Sequence, residues 1–368
     1  MPLTTVAEGR VYDMSHAVGR NSQRGPGFNY VQTMCLGKNG VLYAANRGSE
    51  NNFGMHANKT QLGGPGEEEW VADFFEHGEG DGNCTWPFGI AVDNDRDIVY
   101  VSDDWTNTIS VFDTSGKFLR KWGKPGSGDG ELNRPAGLAV EKNGNVIVVD
   151  SGNNRLQVFT PEGQFVGKCG SAGSGDGQFN QPWGITLDKD GNIYVADWKN
   201  HRIQKLSPEG KFLMKFGEYG AIEVPEGSFA VSSLGPYILV GQEGKGYPKP
   251  GLLNHPTDVA VDPDGDIYVT DWGNHRVCIF DSEGRAVANL FGDAQVMSKW
   301  GQMAIDANPD MGKARRRVKS LEPQWRFTFP TAVEFNPETD EIIVADSFRQ
   351  RLQIYKKVRD YSDFQANL

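Results

Sequence analysis

The sequence predicts an all-β fold, a six-bladed β-propeller of four-stranded blades, and two observations predict it. NIYVADWKNHRIQKL at 192–206 returns almost unchanged as DIYVTDWGNHRVCIF at 266–280, with weaker copies at 97–112, 145–159 and 341–355. Each copy follows a second signal: PFGIAVD at 87, PAGLAVE at 135, PWGITLD at 182, PTDVAVD at 256 and PTAVEFN at 330. A degenerate unit, VQTMCLGKNGVLYAAN, fills 31–46, with Val31 in place of the proline. Internal self-similarity marks a repeat architecture. Units starting near 31, 87, 135, 182, 256 and 330 number six, in one domain spanning 1–368.

Within a unit, strand a is P-x-G-x-A-V, strand b is x-I-Y-V-x-D and strand c is R-x-Q-x-F. Strand d is illustrated by KFLRKWG (117–123) and QFVGKCG (164–170). All four are rich in β-branched and aromatic residues and are separated by DKDGN, DPDGD, SPEG or DSEG turns. Four-stranded sheets arranged radially hide most of their edges by closing the circle. The last unit ends at strand c, near Tyr355. Residues 12–31 match strand d and its exit loop, so an N-terminal strand is expected to complete blade six and lock the ring.

The pattern P-x-G-[IL]-A-V-D … G-[ND]-I-Y-V-[AT]-D-x-x-N-H-R-[IV] resembles the NHL repeat over about residues 12–355. That resemblance implies six blades, but not one function, because the family holds lyases, sensors, RNA readers and scaffolds. Asp150, Asp197, Asp271 and Asp346, with Arg155, Arg202, Arg276 and Arg351, recur at matching positions. They read as braces of the b–c turn, and His201 and His275 share that structural reading.

A net charge of −11 and a pI near 5.1 give nucleic acid or an anionic membrane no global attraction to the chain. The cysteines Cys35, Cys84, Cys169 and Cys278 are too scattered for a CxxC site and read as buried thiols. MPLTTVAEGR lacks the apolar core of a secretion signal and no apolar run of 18 residues occurs, which leads to a cytoplasmic expectation. No dinucleotide fingerprint or P-loop is present, so no nucleotide cofactor is expected. The GSGDG strings read as turns. DKDGN and DPDGD fail the calcium-loop pattern and read as hairpin turns.

Chain parity places b–c loops and d–a connections on one face. Two d–a connections are long, 217–255 and 291–329, and long loops in a compact repeat are commonly lids or binding elements. In the second, Val296, Trp300 and Met303 have helical spacing and are expected to pack on the scaffold, while KARRRVK (313–319) reads as a solvated face. On the same face the b–c loops present Arg47, Asp104, Trp105, Trp198, Lys199, Trp272, Phe348 and Arg349. Phe88, Trp183, Thr257 and Thr331 follow the position of the strand-a proline and are expected at the channel mouth. Aromatics with a few charges around a funnel suit a small-molecule pocket, although packing between blades would use the same rings.

Propellers similar to this one include a zinc lyase that cleaves peptidyl-hydroxyglycine, with three His residues directly after strand-a prolines. Here those slots hold Phe88, Ala136, Trp183, Thr257 and Thr331, so that zinc site is not implied; a divalent metal in the channel stays open. His77, His255 and Tyr247 are the acid–base candidates that the repeat explains least, while His16 and His56 fall in the closing strand and blade one. The expected function is a lyase or hydrolase acting on a small molecule in a lidded funnel. The alternative is a non-catalytic scaffold or ligand sensor, with a protein partner on that face.

Overall fold

The computed structural model describes residues 4–7, 9–48, 55–222, 229–232, 235–238 and 249–359. Six antiparallel four-stranded blades are ordered a-b-c-d from the channel outward. Strand a spans Val31–Leu36, Pro87–Asp93, Pro135–Val140, Ile185–Leu187, Pro256–Val261 and Pro330–Asn336 in blades one to six. Strand b is buried on both faces, as in Val146–Asp150 and Ile267–Asp271, because each blade is sandwiched between two others. Outer strands such as Phe212–Phe216 alternate between half-buried and exposed positions, the period-two pattern of a strand with one wet face. The core lies between blades: Ile147, Val149 and Leu156 of blade three pack with Ile193, Val195 and Leu206 of blade four.

The ring closes as the sequence predicts. Arg10–Val18 pairs antiparallel with Arg351–Val358 as the outer strand of blade six, and Thr4–Ala7 adds a fifth strand outside it. At the a–b end, Arg10 donates to Asp266 of blade five at 2.7 Å, and Lys357 reaches Asp262, Asp264 and Asp266.

The repeated Asp–Arg pairs are structural. Arg155, Arg202, Arg276 and Arg351 donate through Nε to Asp150, Asp197, Asp271 and Asp346 at 2.7–2.9 Å. Each Asp also accepts a backbone N–H from the loop entering strand a, for example Asn133 to Asp150 and Asn254 to Asp271. Buried charges need this degree of satisfaction.

A second device joins successive blades. Asn107, Asn154, His201 and His275 adopt left-handed conformations at the end of their b–c turns. Their side chains accept backbone N–H bonds from Arg134, Gln181, His255 and Phe329, the residues that precede the next strand-a prolines. His201 and His275 therefore use an unprotonated Nδ1 where blades two and three use an Asn oxygen. Burial lowers both histidine pKa values, that of His275 to about 4.

Of the insertions, residues 223–228, 233–234 and 239–248 lie outside the described residues, and Tyr247 is among them; Phe229–Ser232 and Gly235–Ile238 pair as a hairpin. The second insertion forms helices α1 (Lys299–Asp306) and α2 (Pro309–Arg316). Of the expected stripe only Trp300 packs down, in the seam of blades six and one with Val18, Phe28 and Leu62. Val296, which precedes the helix, and Met303 are instead exposed. All four cysteines are free thiols; Cys35, Cys84 and Cys278 are buried, but Cys169 on an outer strand is only partly so. Among the described residues no helix is long and apolar enough to cross a membrane.

Candidate small-molecule site

The innermost strands form a neck. Thr33 Oγ donates to Phe88 O, Ser102 Oγ to Ala136 O, Gly137 N to Trp183 O, Thr257 Oγ to Pro330 O and Thr331 Oγ to Val31 O. Phe88, Thr257 and Thr331 are buried in this lacing, with Trp183 half-buried beside Phe88. Gly184 lets strand a of blade four approach: a Cβ there would lie 2.6 Å from the Asp258 Cα. Beyond the neck, toward the a–b turns, lies a cavity of about 450 Å³ lined by Thr33–Lys38, Asp258, Glu334 and neighbouring strand-a residues. Burial pushes the Asp258 carboxyl up to about 7 and raises Glu334, with Asp258 adding to the shift. This cavity opens away from the face that carries the expected site residues. Among the described residues no three His, Cys, Asp or Glu side chains come together as a metal site.

On the b–c face the repeat slots divide into two halves. From blade four round to blade one, residues of the b–c turns interleave with residues that flank the strand-a proline position. Trp183 stacks on Trp198 at 4.8 Å, Trp198 meets His255 at 4.6 Å, and His255 meets Trp272 at 6.4 Å. Trp272 then meets Phe329 at 4.6 Å, Phe329 meets Phe348 at 4.8 Å, and Phe348 meets Tyr30 at 5.4 Å. Trp198 is thus covered by Trp183 and His255, and Lys199 lies over its ring at 5.7 Å. Such an arc joins blade to blade by ring packing.

His255 sits within this arc. Its Nδ1 faces Asn254 Oδ1 at 2.8 Å, and its ring centroid lies 4.4 Å from that of His201. Burial, with His201 and Lys199 nearby, lowers its pKa to about 4. His77 is remote from the arc, with Nδ1 3.1 Å from Met55 Sδ on the blade-one side. Arg349 is half-buried and donates to Pro323 O, anchoring the second insertion.

Blades one to three place charges in the corresponding slots. Asp103 is the repeat acid of blade two, accepting from Thr85 and Trp86 N–H, so Asp104 takes the place that Trp198 has in blade four. The Asp104 side chain is 3% exposed, with Oδ2 3.5 Å from Arg47 and 3.7 Å from Arg134. Its Oδ1 is buried without a hydrogen-bond partner among the described residues. Burial raises the Asp104 pKa, against the lowering pull of the two arginines. The Arg47 guanidinium lies 4.7 Å over Trp86, and Trp86 meets Trp105, which is 55% exposed, at 5.0 Å. The structure therefore gathers Arg47, Asp104 and Trp105 in one place and Trp183, Trp198, Lys199, Trp272, Phe348 and His255 in another. Trp86 and Arg134 were missed by sequence reasoning, although both occupy the readable slot before the strand-a proline.

The NHL repeat model matches residues 132–159, 179–206 and 253–280. A stretch of 79 residues, 22% of this chain, is 40% identical to RING finger protein nhl-1 of Caenorhabditis elegans, but it spans only 8% of that protein. A protein of unknown function from Bacteroides thetaiotaomicron superposes on 95% of this chain and 76% of its own, with a TM-score of 0.57 and 16% identity. Virginiamycin B lyase of Staphylococcus aureus, crystallised with quinupristin, matches 94% of this chain and 100% of its own, with a TM-score of 0.52 and 13% identity. At these identities the structural likeness is one of fold.

Proposed function

We propose that this chain, which carries NHL repeats in a closed six-bladed propeller, is a small-molecule lyase or hydrolase with its site at Asp104 on the b–c face. One observation carries the reading: a buried carboxylate with one oxygen facing two guanidinium groups, the other without a hydrogen-bond partner among the described residues, and an exposed tryptophan next to it. An unsatisfied buried acceptor costs stability, and retaining one is the usual trade at a working site. Asp104 would take a proton from carbon or from a water molecule. A carboxylate with its pKa raised by burial is the stronger base for that task. Arg47 and Arg134 would hold the negative charge that then develops on the substrate, and Trp86 and Trp105 would supply an apolar wall. His255 is neutral at physiological pH, yet its low pKa makes it a weak base.

The test compares metabolite extracts incubated with active and with heat-killed protein, followed by mass spectrometry. Any converted metabolite is then assayed with Asp104→Asn, expected to lose about 10²- to 10⁴-fold in kcat with an unchanged melting temperature. Full turnover by that variant would remove Asp104 from the chemistry. The exposure of Trp105 beside this charge cluster favours a second reading, a non-catalytic ligand-binding propeller. Saturable ligand binding without turnover would select it.

A further inference from the structure

The α1–α2 hairpin of the second insertion concentrates two features that the ring does not use. Four of the twelve exposed large apolar side chains among the described residues lie on it or at its ends: Met303 and Met311 on the helices, Val296 just before α1 and Val318 just after α2. Five cations, Lys313, Arg315, Arg316, Arg317 and Lys319, follow one another without an acid between them, in a chain of net charge −11. Lys313 pairs with Asp310 and Arg315 donates to Gln324. The side chains of Arg316, Arg317 and Lys319 belong to exposed residues and make neither a hydrogen bond nor an ion pair with the described residues. The hairpin is anchored to the ring at its start: Trp300 is buried, Ser298 Oγ donates to Gly19 O and Lys299 to Glu68 O.

We infer that this hairpin is a docking surface for an anionic lipid bilayer. Basic clusters beside exposed apolar side chains on short helices suit a surface of negative headgroups over hydrocarbon. Such a surface needs no shape-matched groove, only cations and apolar side chains on one element. The global acidity, which argued against membrane affinity for the whole chain, now serves orientation. It repels the rest of the molecule from the bilayer, so the hairpin is the element that approaches.

Flotation of the full chain with vesicles of phosphatidylcholine alone and with phosphatidylserine added tests this. Binding is expected only with phosphatidylserine and is expected to fall as salt rises. The triple variant R316E/R317E/K319E should bind at least about 100-fold more weakly, at roughly a factor of five per cation removed. M303S/M311S should weaken binding with the salt dependence retained. These positions are exposed, and an unchanged melting temperature confirms that the variants fold. Absence of binding to phosphatidylserine vesicles overturns the inference, as does undiminished binding by the triple variant. Capture of polyglutamate without capture of vesicles would replace the bilayer with an acidic protein partner.

Discussion

His201 and His275 recur like a signature, yet each acts as an inter-blade acceptor where blades two and three use Asn. His275→Asn should therefore keep most of the stability, while His275→Ala should lose about 1–3 kcal/mol by stranding the Phe329 N–H. Burial lowers the His275 pKa from 6.5 to about 4, so between those values the unfolded chain binds a proton that the folded chain excludes. This residue's contribution is thus complete above pH 6.5 and shrinks as pH falls toward 4. Urea midpoints across that window should fall less for His275→Asn than for the wild type. The tryptophans divide in the same way. Trp198, stacked on Trp183 and met by His255, should cost about 2 kcal/mol or more on truncation to alanine. Trp105→Ala should leave the melt unchanged and weaken substrate binding, read as a raised KM; a reversed pattern would exchange the packing and site roles of the two rings.

At the scale of the element, the blade was legible because its determinants are local and repeated. Gly at the a–b and c–d turns, β-branched runs and the Asp–Arg pair all have fixed spacing, so one copy corrects the reading of another. The candidate site was legible only in part, because it consists of departures from the repeat. Asp104 follows the repeat acid Asp103, and their adjacency hides which of the two is structural until Thr85 and Trp86 are seen bonded to Asp103. Arg134 is placed by its slot before Pro135, but its relation to Asp104 crosses from one blade to the next and is not written in either repeat. The helical stripe failed for another reason: spacing located Trp300 correctly, but a hairpin resting on a rim buries one side chain where a core helix would bury a row. The b–c brace makes its own prediction. Arg276 is fully buried on Asp271, so Arg276→Ala should destabilise by about 3–5 kcal/mol through the unpaired acid left behind. A smaller loss in urea unfolding would mean that backbone N–H bonds alone satisfy Asp271.

For the whole molecule, closure of the ring sets the unit of stability. Strand Arg10–Val18 covers the outer edge of Arg351–Val358 and buries Val11, Tyr12, Met14 and Val18. Through Arg10 it also reaches Asp266 in blade five. Removing residues 1–18 would uncover a hydrogen-bonding edge and leave Leu352 and Ile354 without their cross-strand partners; exposed edges of this kind pair with other chains. The deletion should therefore lose the single sharp thermal transition and elute from gel filtration as larger species. Because the missing piece is one strand with a defined register, a synthetic peptide of residues 4–19 should add back along the same edge. With the peptide in excess, the transition should sharpen and rise in temperature with peptide concentration, as expected for a ligand that binds only the folded ring. A deleted chain that melts sharply at the wild-type temperature without peptide would show that the blades hold one another without closure, through the strand-a neck and the packing between neighbouring blades.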